Sequence, residues 1–321
     1  MRNRFHGNIN GDIKKYKLWL ENYGKFNHNH NHIDNFYLSW YKSYAVNYLK
    51  FLRVHKFIPN LYYRDQIYKK TFDELTSENE ICLKDIKLPV PADKTGYYLY
   101  MSGIVESLWT YLSDNIGHET ACSLFPDYME GPYEYKDVKL NENDIVIDAG
   151  ANIGEFSALA SVRKCKSYAF EPMPHIIDSY LSKIAEKYPD ITICQYALSD
   201  KQAVLDFTVH STDISASSYV MNPYIAKNSN NTIKVQAIDL DTFVNENNLP
   251  RVDFIKADIE GAERFMLMGA KQVLKDFAPK LAICKYHLPD DPQILRELIL
   301  DANPSYVIEE RWKKIYAYVS K

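Results

Sequence analysis

Apolar positions in the second half of the chain follow two alternating rhythms. Short runs of β-branched and aromatic residues recur at about 144–149, 166–170, 191–195, 252–257 and 280–285, separated by helically spaced stretches at about 156–163, 175–187, 262–275 and 292–302. An unbroken run such as Ile145-Val146-Ile147 suits a strand covered on both faces. Strands and helices in alternation predict an α/β fold with a parallel sheet and right-handed crossovers. The rhythm changes at the end: 305–310 and 315–319 read as strands with only 311–314 between them, too short for a crossover. A terminal hairpin follows, with the last strand antiparallel.

Upstream the period is helical. Trp40, Tyr41, Tyr44, Tyr48, Phe51 and Leu52 recur at spacings of three and four over 36–57, and Pro59 ends that helix. Ile104, Val105, Leu108, Trp109, Leu112 and Ile116 predict a second helix over 102–125. Pro126, Gly131 and Pro132 mark a boundary. The predicted layout is a helical N-terminal region, 1–127, serving as lid, substrate surface or homo-oligomer interface, and an α/β domain, 128–321. The first 35 residues or so, rich in Asn and Lys, carry no apolar period and predict an irregular arm.

Composition narrows the function. With 46% hydrophobic and 25% charged residues the 321-residue chain can bury a core. No run is long and apolar enough for a membrane span or a secretory leader, so a cytoplasmic location is expected. Five cysteines without C-x-x-C spacing, Cys82, Cys122, Cys165, Cys194 and Cys284, predict reduced core residues. The net charge of −4 disfavours a whole-molecule nucleic-acid binder. It hides an asymmetry: residues 1–72 hold 13 Lys or Arg against four Asp or Glu, and the rest hold 25 against 38.

Asp148-Ala149-Gly150-Ala151-Asn152-Ile153-Gly154 follows the first predicted α/β strand and opens a helix, where glycines let the backbone turn tightly against a ligand. Glu171 ends the next strand, at a place where a carboxylate can accept both hydroxyls of a ribose. The dinucleotide spacing G-x-G-x-x-G is absent, and an acid before the first glycine disfavours a pyrophosphate but suits an ammonium group. An aminoacyl nucleoside fits: amino acid beside Asp148 and Gly150, ribose on Glu171, adenine further along the sheet edge. S-adenosylmethionine is that ligand.

These blocks, together with Glu130-Gly131-Pro132-Tyr133, Phe170-Glu171-Pro172, Ala197-Leu198-Ser199-Asp200 and the run Asp253-Phe254-Ile255-Lys256-Ala257-Asp258-Ile259-Glu260-Gly261-Ala262-Glu263, resemble the FkbM family of S-adenosylmethionine-dependent methyltransferases over about 128–321. The resemblance implies a seven-stranded, mostly parallel Rossmann-like sheet and methyl transfer to a hydroxyl, often of a sugar or another secondary metabolite. It implies that Tyr133 meets the cofactor's amino acid end, Glu171 its ribose, and Ala197, Leu198 and Ser199 its adenine, with Asn152 and Gly154 completing the turn. Ala257 departs from the family, which usually has an acidic residue there.

Asp258 ends the fourth strand, and His287 follows the fifth in Lys285-Tyr286-His287, so both fall at the carboxyl rim that faces the ligand crevice. A histidine titrating near neutrality could take the acceptor's proton. Alternatively, Asp258 and His287 share a divalent metal that binds the acceptor oxygen. Glu260 and Glu263 also suit the first turn of a helix. The expected acceptor is a sugar, nucleotide-sugar or glycan-precursor hydroxyl. It could be anionic and held by Lys42, Lys50, Arg53, Lys56, Arg64, Lys69 and Lys70; solvation is the plainer reading of those cations, and of His28, His30 and His32 as against a metal site. The alternatives are an amine or other secondary metabolite as acceptor, or a binding protein that keeps the fold without catalysis.

Overall fold

The computed structural model describes residues 80–83, 85–90, 131–210, 217–220 and 229–320. The predicted arm, the helices over 36–57 and 102–125, the histidine run and the basic stripe lie outside these residues.

A short antiparallel hairpin, β1 (Glu80–Leu83) and β2 (Ile86–Pro89), precedes the α/β body. The body begins with β3 (Ile145–Ala149), α1 (Glu155–Val162) and β4 (Lys166–Phe170). Next, α2 (Pro174–Ile176) runs through a π-helical turn, Ile177–Leu181, into α3 (Ser182–Lys187), and β5 (Ile191–Cys194) follows. After β6 (Ala197–Leu198), β7 (Ala203–His210), β8 (Ser229–Ile238) and α4 (Leu240–Glu246), the alternation resumes with β9 (Phe254–Ala257), α5 (Glu263–Met268), α6 (Lys271–Asp276) and β10 (Lys280–Cys284). Helix α7 (Asp291–Ala302) and the hairpin β11 (Tyr306–Arg311), β12 (Lys314–Val319) complete the described chain.

Seven strands form one sheet in the order β11-β12-β10-β9-β3-β4-β5. β10, β9, β3, β4 and β5 are parallel, and β12 inserts antiparallel between β10 and β11. The terminal hairpin and the seven-stranded, mostly parallel sheet are therefore as expected. Alternate side chains divide the core between the two faces. Val146, Phe254 and Ala282 pack with Phe156, Leu181 and Ile184, while Ile147, Ile255 and Ile283 pack with Leu267, Leu274 and Leu295.

Three features depart from the sequence expectation. The helix predicted over 262–275 is two helices, because a Cβ on Gly269 would stand 2.2 Å from the carbonyl oxygen of Ser199 and the chain bends past that contact. Asp241 then restarts α6, its carboxylate accepting the N–H groups of Gln272 and Val273 at 2.9 Å each. Second, β6, β8 and β7 form a separate three-stranded sheet from residues that had suggested no elements. Third, the region upstream of 128, expected to be helical, contributes the β1–β2 hairpin to the packing of the α/β body. Ile81, Ile86 and Leu88 are fully buried in the same core as Phe156 and Ile184, and the compact unit holding the sheet is Ile67–Lys321.

Among the described residues no helix is long and apolar enough to cross a membrane. Cys165, Cys194 and Cys284 are buried and, like Cys82, form no disulfide among the described residues.

Candidate active site

Strand register brings the chemistry to one edge. Ala149 pairs with Phe170 on one side and with Ala257 on the other, and Ala257 is followed across β10 by Ile283. The residues just past the strand ends, Gly150, Glu171 and Asp258, therefore stand side by side at the carboxyl rim. They line a cavity of about 460 Å³, partly open to solvent, with Ala197 and Leu198 in its wall.

The turn after β3 is built for close approach. Gly150 has φ +72°, its N–H and that of Ala151 both donate to the Phe170 carbonyl, and a Cβ there would lie 2.0 Å from the carbonyl oxygen of Asp258. Asn152 is left-handed at φ +49°. Gly154, at φ +93°, caps α1 where a Cβ would meet Leu181 at 2.7 Å.

Glu171 faces this turn. Its carboxylate accepts the N–H of Asn152 at 3.0 Å and the N–H of Met173 at 2.9 Å, one on each oxygen, leaving further lone pairs for a ligand in the cavity it lines. Burial is the main influence on its pKa. It raises the carboxyl to about 7, although the two backbone N–H groups and Lys256 pull the other way.

Asp148 is placed differently from the expectation. It is fully buried beneath the turn, where Oδ2 accepts the Ser157 hydroxyl at 2.7 Å and Oδ1 lies 3.0 Å from the Lys256 ammonium. A ligand ammonium does not reach this carboxylate, because it is already enclosed by Ser157 and Lys256. Lys256 is its direct register partner on β9 and donates to the Gly150 carbonyl at 2.5 Å. Burial opposes the lysine's charge, but Asp148, then Asp258 and Glu155, keep its pKa above the usual lysine range. The acid thus positions a cation under the glycine turn.

At the rim, the Tyr133 hydroxyl donates to Asp258 Oδ2 at 2.7 Å. Two lysines flank that phenol, with the ammonium groups of Lys314 and Lys256 at 4.2 and 5.2 Å from the ring centroid. Burial alone would raise the Asp258 pKa, but His287, Lys256, Lys314 and the tyrosine hydroxyl together bring it below the ordinary aspartate value.

The His287 side chain, only 3% exposed, has carboxylates on both sides. Nδ1 lies 3.0 Å from Glu263 Oε1, and Nε2 lies 3.4 Å from Asp258 Oδ1 and 3.6 Å from Glu260 Oε2. Burial works against a charged ring, yet Glu263 first, then Glu260 and Asp258, raise its pKa to about 10. The expected titration near neutrality is corrected accordingly, since three acids around one imidazole hold its proton. Glu263 also accepts the N–H groups of Ile259 and Gly261 at 2.8 and 2.9 Å, so it braces the loop that carries Asp258 as well as beginning α5.

Of the residues singled out in the sequence, Gly150, Glu171, Ala197, Leu198, Asp258 and Glu260 line the cavity. Tyr133, Asp148, Asn152, Gly154 and His287 stand behind it as supports. Ser199 is buried, its hydroxyl accepting from Tyr219 at 3.1 Å. Sequence reasoning missed Lys256, whose signal was a lysine inside an apolar strand, and the wall residues Met173, Ile176, Phe207, Ser217 and Tyr219.

Residues 148–307 match the model of the methyltransferase FkbM domain. The chain is 25% identical over 222 residues to the hexuronic acid methyltransferase AglP of Haloferax volcanii, covering 68% of this chain and 83% of that protein. Among solved structures, it resembles the FkbM methyltransferase of Methylobacillus flagellatus KT at 19% identity and a TM-score of 0.45, covering 83% of this chain and 60% of that one. The precorrin-6y C5,15-methyltransferase of Geobacter metallireducens GS-15 gives 15% identity and a TM-score of 0.34, covering 56% and 82%. Through residues 148–307, this chain belongs to the methyltransferase FkbM family.

Proposed function

We propose that this protein binds S-adenosylmethionine in the cavity between Gly150, Glu171 and Asp258 and transfers its methyl group to a hydroxyl of a sugar, nucleotide-sugar or glycan precursor. The observation that carries this reading is Glu171, a cavity-lining carboxylate fixed by two backbone N–H groups opposite a glycine turn. It would accept the ribose hydroxyls. Ala197, Leu198, Phe207 and Tyr219 offer the apolar wall that an adenine requires. Tyr133, through Asp258, would set the end of the cavity that receives the sulfonium.

Transfer is an in-line displacement: the acceptor oxygen bonds to the methyl carbon as the carbon–sulfur pair returns to sulfur, leaving S-adenosylhomocysteine. The hydroxyl proton passes to a carboxylate of the rim, Asp258 or Glu260, beside the already protonated His287, with Asp258 and His287 as the catalytic pair. The hexuronic acid named for the relative at 25% identity favours an anionic sugar as acceptor. Calorimetry with S-adenosylhomocysteine tests the cofactor half. Micromolar binding that Glu171→Ala weakens by about 1 to 3 kcal/mol is expected, the usual loss for a charge-assisted hydrogen bond. Absence of binding by the folded protein overturns the reading.

A further inference from the structure

We propose that His287 Nε2, Asp258 Oδ1 and Glu260 Oε2 form a binding site for one divalent transition-metal ion. Its role, though not the binding itself, rests on methyl transfer to a hydroxyl.

Three observations point to an ion. The first is the imidazole: it is only 3% exposed, and while Nδ1 lies beside Glu263, Nε2 has no hydrogen-bond partner. Burying such a group is unfavourable unless something coordinates it.

The second is spacing. Nε2 faces Asp258 Oδ1 at 3.4 Å and Glu260 Oε2 at 3.6 Å, longer than N–H···O hydrogen bonds. Imidazole nitrogen and carboxylate oxygen sit about 2.0 to 2.2 Å from such an ion, which leaves ligand atoms about 3.0 to 3.6 Å apart in its shell.

The third is the arrangement behind the ligands. Asp258 Oδ2 is held by the Tyr133 hydroxyl, which leaves Oδ1 turned to the histidine. Glu263 is fully buried, with its oxygens on the N–H groups of Ile259 and Gly261 and beside Nδ1 of His287. It is therefore an orienting residue, of the carboxylate–histidine kind that fixes which nitrogen faces a metal. One imidazole and two carboxylates suit manganese, iron(II) or cobalt rather than a thiolate-seeking ion. On binding, the proton carried by Nε2 leaves to solvent. The ion would take the acceptor hydroxyl as a further ligand and make its oxygen more acidic.

The test uses chelator-treated full-length protein titrated with Mn²⁺ and followed by loss of the free-ion electron paramagnetic resonance signal. S-adenosylhomocysteine binding is measured on the same preparation. One Mn²⁺ per chain is expected, with Glu260→Gln and His287→Ala each weakening it at least about tenfold, while S-adenosylhomocysteine affinity of the His287→Ala protein changes less than about twofold. No Mn²⁺ uptake at concentrations up to about 1 mM, with S-adenosylhomocysteine still bound, overturns the metal site and leaves the cofactor reading intact. Uptake unchanged in both variants also overturns it. If His287→Ala fails to fold by circular dichroism, Glu260→Gln alone decides. Loss of both ligands in folded protein removes both readings.

Discussion

Glu171 accepts the backbone N–H of Asn152 at 3.0 Å, tying the end of β4 to the turn after β3. The same carboxyl has a pKa raised to about 7 by burial, and ribose hydroxyls donate best to its ionised form. S-adenosylhomocysteine affinity should therefore fall roughly tenfold between pH 8 and pH 6 as the carboxyl takes up a proton. Calorimetry across that range measures the slope, and Glu171→Gln should flatten it. The folded-state pKa lies above the ordinary glutamate value of 4.5, so this group's contribution to ligand-free stability is full below about 4.5 and is lost as pH rises through 7.

Gly150→Ala places a methyl group against the Asp258 carbonyl, where the present backbone leaves 2.0 Å, at a φ of +72°. The turn after β3 and the loop after β9 must part to admit it. Cofactor binding should be lost even where a thermal melt shows the sheet intact, and wild-type affinity in this variant would refute the close approach.

Lys256→Met leaves Asp148 buried without its ion-pair partner. Removing one member of such a pair is destabilising by about 3 to 5 kcal/mol, and urea denaturation should show a loss of that order. A loss below about 1 kcal/mol would mean that Asp148 finds another partner when the lysine is gone.

His287→Ala should lower turnover by about 10²-fold or more while leaving S-adenosylhomocysteine affinity nearly unchanged, because the ring meets the rim carboxylates and does not line the cavity. Steady-state kinetics beside calorimetry separates these effects, and equal turnover would remove His287 from the reaction.

The central sheet was legible because strands buried on both faces are mostly apolar, and β3, β4, β9 and β10 are so, with Asp148 and Lys256 as interior exceptions. Glu171 and Asp258 could be placed at the rim because each follows such a strand. The accessory sheet was harder to read: in β7 Val204 is 57% exposed, so the apolar run does not mark which face is covered. The break in α5–α6 depends on Gly269 meeting Ser199, seventy residues earlier, a contact that no local period encodes. The position of Asp148 was misjudged for a related reason. Its neighbour Lys256 becomes visible only when β3 and β9 are paired in register.

Dissolved ions do not reach the interior where Asp148 meets Lys256, whereas Lys136–Glu309 and Lys164–Glu142 lie on the surface. Screening by added salt weakens exposed attractions and leaves enclosed ones largely intact. The glycine turn therefore rests on a support whose strength changes little between dilute buffer and brine.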